Sequence, residues 1–494
     1  MSDYLLGVDI GTSSCKAVVF GQDGEIIESR AGDYPVYYPA PGYAEQKPCE
    51  WWESVCGAIR GILSAGNVKP ADIKAVGVDG QSWSAIVVER DGNVLFDDPI
   101  WMDTRAAGIC AELGKNIGEK AIFGLCGNPL APTYTSPKII WFRRNFPEAF
   151  RSAYKVLQSN SYIVYRLTGE FTQDLSQGYG LHFFDMRKGA WDAEMAKEMG
   201  VDLGLMPEIM PCHAIAGTVT REAAAVTGLL PGTPVVAGGL DAACGTLGVG
   251  VVADGQTQEQ SGQAGGMSVC LERCVAHKKL IMSRHAADGR WLLQGGTVGG
   301  GGTLKWLKEK LLIGLDFAEM DGLAAESPPG SGGIVYLPYM AGERSPLWDQ
   351  NAKGVYFGLS YAHSRNDIIR ATMEGVAYSL THNIRTAEEA GAVIKTMNAS
   401  GGAAESGIWT QIKADVTGKE IAVAQSGAAT TLGAAILAGV AVGMYKDFDD
   451  AVDKTVRIRK TYTPNWENHE IYGKYYGVYL RLYENLRELM REMQ

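Results

Sequence analysis

Apolar and polar positions alternate in short blocks along the first hundred residues, and the blocks predict strands. Leu5 to Val8 is an apolar run that stops at Asp9, a turn through IGTSS follows, and Ala17 to Phe20 resumes the run; Ile26-Ile27 comes after a second turn at Asp23-Gly24. This is a three-strand meander. After Pro48 the spacing changes: Trp52, Val55, Cys56, Ile59, Ile62 and Leu63 recur at helical intervals, and Gly66 suits the stop. Ile73 to Val78, Ile86 to Val88 and Val94-Leu95 read as further strands, the last two joined by a turn at Asp91-Gly92. Strands followed by helices argue for an α/β class.

The second half restarts in a similar way at Asp254-Gly255, with Thr257 to Ser261 and Met267 to Leu271 as strands around the loop SGQAGG. Two related halves are therefore expected, 1–248 and 249–494, with the boundary near Gly245 to Asp254. Helical periodicity follows at Ile368 to Ala387, a strand at Ile394 to Met397, a helix at Ser406 to Thr417 and a small-residue helix at Thr430 to Ala441. The glycine-dense GGTVGGGGT at 295–303 leads straight into Leu304, Trp306, Leu307 and Leu311, so it reads as a loop at a helix start rather than a linker. Near the C-terminus Tyr472, Tyr475, Tyr476, Tyr479, Tyr483, Leu486 and Met490 share one helical face. Core packing is the first reading of that stripe and a homodimer contact the second.

Composition narrows the function. The 494 residues allow two or three domains, and 46% apolar with 20% charged residues is the balance of a folded globular protein. A net charge of -11 offers no field to attract a phosphate backbone, so nucleic acid is not an expected partner. Nine scattered cysteines without a CxxC pair signal neither a disulfide framework nor a zinc site, and they read as reduced thiols in a cytoplasmic protein. The start MSDYLLGVDIG lacks the pattern of a signal peptide, and the apolar run from Thr431 to Met444 is shorter than the roughly 18 residues a span requires. No membrane association is expected. The seven histidines show no metal-ligand spacing.

Two segments can carry chemistry. Asp9 stands at a strand end beside Gly11, Thr12 and Ser13, whose backbone N–H groups and hydroxyls can face a phosphate, with Lys16 adding positive charge and Asp9 able to hold magnesium. A plain hairpin with a Gly-Thr turn is the alternative. Asp241, in VVAGGLDAACGTLGVG, follows a buried strand and precedes a small-residue helix, so it either accepts a proton from an incoming hydroxyl or caps the helix.

The order of motifs resembles the FGGY family of carbohydrate kinases over nearly the whole chain. GVDIGTSSCKAVVF looks like the first phosphate motif, TSPKIIWF the central Lys-x-x-Trp segment, and GGLDAACGTLGVG the catalytic Asp motif. YMAGERSPLWDQNAKGVYFGL with DIIRATME is similar to the second-half signature, and SGGAAESGIWTQIKADVTGKEI with TTLGAAILAGVAVG to the adenosine-binding stretch. WMDTRA and YMAGERSPLWD make the pattern xylulokinase-like.

The resemblance implies two ribonuclease H-like domains of the actin and hexokinase type around a central nucleotide cleft, with ATP and Mg²⁺ as cofactors. It implies Asp241 as the base, Asp9 and Asp241 at the metal, and Thr12 and Ser13 on phosphate. Gly262, Gln263 and Ala264 take the place of the second phosphate turn; Gly301 approaches the nucleotide, and Gly401, Gly402, Ala403, Ser406 and Gln411 lie around adenosine. Gln81, Ser82, Trp83, Asp103 and Arg105 fall in the sugar region, although Trp83 has a core-packing alternative and Asp103 with Arg105 an ion-pair one.

Three departures stand out: Ser82-Trp83 replaces the usual Met-His, Ala242 replaces an Asn, and Gly262-Gln263-Ala264 lacks hydroxyls. The expected activity is phosphorylation of a primary hydroxyl of a small sugar, foremost a ketopentose such as D-xylulose. A polyol, ketohexose or sugar acid is the alternative within the family, and an actin/Hsp70-type nucleotide-gated binding protein the alternative outside it.

Overall fold

The computed structural model describes residues 3–425 and 427–493. Each half of the chain contributes one seven-stranded mixed sheet. In the first, β1 (Tyr4–Ile10), β2 (Ser14–Phe20) and β3 (Ile26–Asp33) form the expected antiparallel meander, and β4 (Ile73–Gly80) joins the free edge of β1 in parallel. β5 (Ile215–Thr218) and β6 (Pro234–Val236) complete the order β5-β6-β4-β1-β2-β3, while β7 (Gly239–Leu240) also runs parallel to β4.

The second sheet repeats the plan. β8 (Gln256–Ser261), β9 (Gly265–Leu271), β10 (Ile281–Arg284), β11 (Trp291–Thr297), β12 (Thr396–Ser400), β13 (Ile421–Ala424) and β14 (Ile458–Tyr462) run in the order β10-β11-β9-β8-β12-β13-β14. In both sheets an antiparallel meander has parallel strands added to the free edge of its first strand. The central strands β1 and β4 are apolar and buried on both faces, as parallel strands between layers must be, whereas the outermost β3 is polar and largely open to solvent.

The helices that matter for the site are α1 (Pro48–Ser64), α2 (Thr135–Asn145), α3 (Ser159–Thr168), α4 (Asp241–Gly248), α5 (Gly301–Lys310), α6 (Phe317–Glu326), α7 (Arg365–Glu389), α8 (Gly407–Thr417), α9 (Ala429–Ala441) and α10 (Trp466–Glu492). The apolar run read as a buried helix is α9, and no helix among the described residues is long and apolar enough to cross a membrane. Although it belongs to the second half, α9 packs on β1, β4 and α4 of the first. Glycine makes this possible. A Cβ on Gly433 would collide with the carbonyl oxygen of Cys244, and one on Gly248 with that of Ala429, so α4 and α9 meet backbone to backbone.

Three local expectations shift. Ile86–Val88 pairs with Lys155–Leu157, and Val94 makes only an isolated bridge to Val88 before the chain turns away toward Asp98. β12 starts at Thr396 rather than Ile394 because its pairing partner β8 begins at Gln256. Leu311 lies beyond the end of α5 and is 58% exposed. The C-terminal stripe packs within the chain: Tyr472, Tyr479, Tyr483 and Met490 are buried with Tyr339 and Tyr378.

Candidate active site

Strand register assembles the first part of the site. Asp9 and Asp79 face each other at the ends of the parallel pair β1 and β4, and β7, also on β4, leads directly into Asp241. Three carboxylates thus gather at the carboxyl ends of adjacent parallel strands, where α/β sheets bind ligands. They are poorly compensated. Asp79 is fully buried with neither carboxylate oxygen hydrogen-bonded, and Oδ1 of Asp9 is also without a partner.

Burial raises the Asp9 carboxyl, with Asp79 and the Lys16 charge partly opposing it; Lys16 sits across from Asp9 on β2. Asp79 is pushed well above the carboxylate range by burial and then by Asp9 and Asp241. Asp241 is pushed up to about 7, first by burial and then by the charge of Asp9. It is the first residue of α4, with Leu240 in the cap position, and its Oδ1 accepts the N–H of the adjacent Ala242 at 2.6 Å rather than one further along the first turn. That is not the bond pattern of a helix cap.

The second part is a turn clasped between glycine loops. Gly301 N–H donates to the carbonyl of Gly262 at 2.8 Å and Gly302 N–H to that of Gln263 at 2.9 Å. A Cβ on Gly301 would lie 2.6 Å from the Gly262 oxygen, and one on Gly401 2.6 Å from that of Ser261. This close approach explains the glycine density at 295–303. From the core side, the buried Lys413 ammonium holds Glu259 and Ser261, each at 2.8 Å, just before the turn.

Three cavities meet at Gly262. The first, of about 550 Å³, is lined by Gly262, Gln263, Gly301, Gly402, Ala403 and Ser406 among others, and its volume falls in the range of small-ligand sites. Phe317 and Asp321 of α6 also line it, and Ser406 donates to Asp321 at 2.8 Å. Gln411 does not line it; its amide is engaged by Asp415 and the Thr463 carbonyl. The second cavity, of about 310 Å³, contains Asp9, Gly11, Asp241 and Gly401. Ser13 is exposed outside all three.

The third cavity, also about 310 Å³, contains Thr12, Ser82, Trp83, Asp241 and Ala264 together with Trp101, Tyr179 and Arg344. The Tyr179 hydroxyl donates to Ser82 at 2.6 Å, Trp101 Nε1 donates to the Thr12 hydroxyl at 3.0 Å, and the Arg344 guanidinium lies over the Trp101 ring. Gln81, Asp103 and Arg105 are not in this lining. Gln81 donates to Gln46, which donates to the carbonyl of Thr12, so it braces the first turn from behind. Asp103 is fully buried, accepts the Ala44 N–H and pairs with Arg105, which also reaches Glu45 and covers Tyr43. The structure thus places these three expected sugar-region residues outside the cavity lining: Asp103 and Arg105 are spent on each other and on Ala44 and Glu45, while Gln81 keeps its Oε1 buried without a partner.

The carboxylates fit a divalent cation: uncompensated buried charge is costly, and a cation removes the cost. Among the described residues no three His, Cys, Asp or Glu side chains enclose a metal by themselves. Mg²⁺ does not need such a cage, because it keeps several waters and binds through one or two carboxylates plus phosphate oxygens.

Residues 4–248 match the model described as the FGGY family of carbohydrate kinases, N-terminal domain, and residues 269–442 match the model of its C-terminal domain. The xylulose kinase of Escherichia coli (strain K12) is 30% identical over 471 residues, covering 94% of this chain and 96% of that protein. The gluconokinase of Bacillus licheniformis is 28% identical over 486 residues, 96% of this chain and 94% of its own. The crystal structure of xylulose kinase from Rhodospirillum rubrum superposes with a TM-score of 0.91 at 28% identity, covering 99% of this chain and 100% of that one.

Proposed function

Because the chain belongs to the FGGY family of carbohydrate kinases, ATP-using enzymes that phosphorylate sugars, we propose that it transfers the γ-phosphoryl group of ATP to a primary hydroxyl of a ketopentose, D-xylulose first. Residues 1–248 carry the sugar and the carboxylates in this reading, and residues 249–494 the nucleotide. The observation that carries it is the position of Asp241, which lines both the cavity of the two aromatic walls and the cavity of the phosphate turns. With Oδ1 committed to Ala242, Oδ2 takes the proton of the sugar hydroxyl as the new phosphorus–oxygen bond forms.

Phosphoryl transfer asks mainly for positioning and charge neutralisation. Thr12 and the turn at Gly262–Ala264 offer donors to the phosphates, and Thr12, whose hydroxyl oxygen accepts from Trp101, keeps its own hydrogen for a phosphate oxygen. Asp9 and Asp241 would hold Mg²⁺, which neutralises charge on the phosphate oxygens when bound.

A second reading, a sugar acid, is favoured by one observation: the Arg344 guanidinium lines the sugar cavity and suits a carboxylate, and a gluconokinase is among the relatives. The test is ADP release against a panel of ketopentoses, polyols, ketohexoses and aldonic acids. Turnover highest with D-xylulose supports the first reading, and turnover highest with an aldonate replaces it with the second. ADP release indifferent to every sugar refutes both.

A further inference from the structure

Helix α2 begins beside the sugar cavity yet contributes nothing to its lining. Its first turns are instead spent on the two loops that do. Lys138 is fully buried, and its ammonium donates to the carbonyl oxygens of Trp83 at 2.8 Å, Pro99 at 2.8 Å and Ile100 at 2.9 Å. An ammonium has three N–H donors, and all three are used. One goes to the loop that presents Trp83 and two go to the loop that presents Trp101.

The same helix grips the Trp83 loop twice more. The Tyr134 ring, just before α2, stacks on Trp83 with centroids 4.2 Å apart, and the Thr135 hydroxyl donates to the Ser84 carbonyl at 3.0 Å. The loop needs holding, because Trp83 has φ of 63°, a left-handed backbone that bulky residues rarely adopt and that persists where surroundings over-determine it. Burial lowers the Lys138 ammonium to about 7; Asp98, whose Oδ1 accepts the Ala85 N–H at 2.7 Å, and Asp103 partly oppose this, and Arg105 adds to it.

We propose that Lys138 is a positioning residue for the sugar site, a three-way clamp that sets the separation of the Trp83 and Trp101 walls without touching the substrate. A buried cation would otherwise be a costly way to fill this space, since a neutral side chain of similar length packs as well. What methionine cannot do is join three carbonyls from two loops at one point. The proposal rests on the reading of that cavity as the sugar subsite.

The experiment compares parent, Lys138→Met and Lys138→Arg in ADP-release kinetics with the best sugar of the panel, alongside thermal melts. In a folded Lys138→Met enzyme the KM for the sugar rises about tenfold or more while the KM for ATP stays within about twofold, and Lys138→Arg, which keeps donors, recovers part of the loss. Should Lys138→Met fail to fold, Thr135→Val removes a second grip on the same loop and shifts the sugar KM in the same direction by a smaller factor. An unchanged sugar KM in a folded variant, or equal rises in both KM values, overturns the clamp alone. A parent without sugar-dependent turnover overturns the subsite reading and the clamp with it.

Discussion

Asp241→Asn separates chemistry from structure more cleanly than any other single change in this molecule. Asn keeps the shape and can still accept the Ala242 N–H at Oδ1, so the start of α4 is preserved. It cannot take a proton. Losing a general base costs about 10²- to 10⁴-fold in rate, equivalent to about 2.7–5.5 kcal/mol of transition-state free energy.

Stability should move the other way. The Asp241 carboxyl rises from an ordinary 3.8 to about 7 in the folded protein. An acid that holds its proton more tightly when folded makes its ionised form a liability above the folded value, and that liability fades as the pH falls toward the unfolded one. At about 1.4 kcal/mol per unit this is on the order of 4 kcal/mol at pH 8, and the favourable interaction of a carboxylate with a helix N-terminus, about 0.3–1 kcal/mol, recovers only a fraction. The ligand-free Asn protein should therefore melt higher than the parent at pH 8 while turning over about 10² to 10⁴ times more slowly. Sugar-dependent ADP release and calorimetric melts on the same preparations read both. Near-parental turnover from a folded Asp241→Asn enzyme would refute the assignment of the base.

Three other outcomes follow from the geometry. A Cβ on Gly300 would strike the backbone of Ala264, so Gly300→Ala should displace the second phosphate turn and weaken ATP binding by about tenfold in calorimetry; unchanged affinity would detach this turn from the nucleotide. Trp83→Ala should raise the KM for sugar more than that for ATP, and equal effects on both would return Trp83 to a packing role. His285 bonds the Val251 carbonyl through Nε2 and accepts the Ala287 N–H at Nδ1, and burial lowers it to about 4. The unfolded chain therefore binds that proton first as the pH falls, and between pH 7 and 5 the parent should lose about 2 kcal/mol more stability than His285→Gln in urea melts. Parallel pH curves would contradict the neutral imidazole.

The sheets were legible because their central strands are uninterrupted apolar runs ended by glycine turns, and the duplicated meander shows in both halves. Asp79 carries the same local mark as Asp9, an apolar run closing on Asp beside glycine, but only the parallel register of β1 and β4 brings the two together. That pairing is non-local, so no window of sequence contains it. Within WMDTRA the residue at the cavity is Trp101, not Asp103 or Arg105. Composition identifies such a segment as polar and aromatic, whereas the direction of each side chain depends on Glu45, Tyr43 and Ala44 arriving from elsewhere in the chain.

The meeting of α4 and α9 bears on how this enzyme can change over generations. At Gly248 and Gly433 the neighbour is a carbonyl oxygen of the other helix, which cannot swing aside as a side chain can, and Gly7 and Gly77 stand in the same relation to α9 from the sheet. Even alanine would force two main chains apart. A saturation mutagenesis survey should thus find these four positions among the least permissive in the molecule, although none bears a reactive group. Around the cavity proposed to hold the sugar, by contrast, Ser82 and Arg344 contribute side chains to the lining, where exchange alters fit without parting backbones. Substrate preference can drift while the helix pair beneath it stays the same.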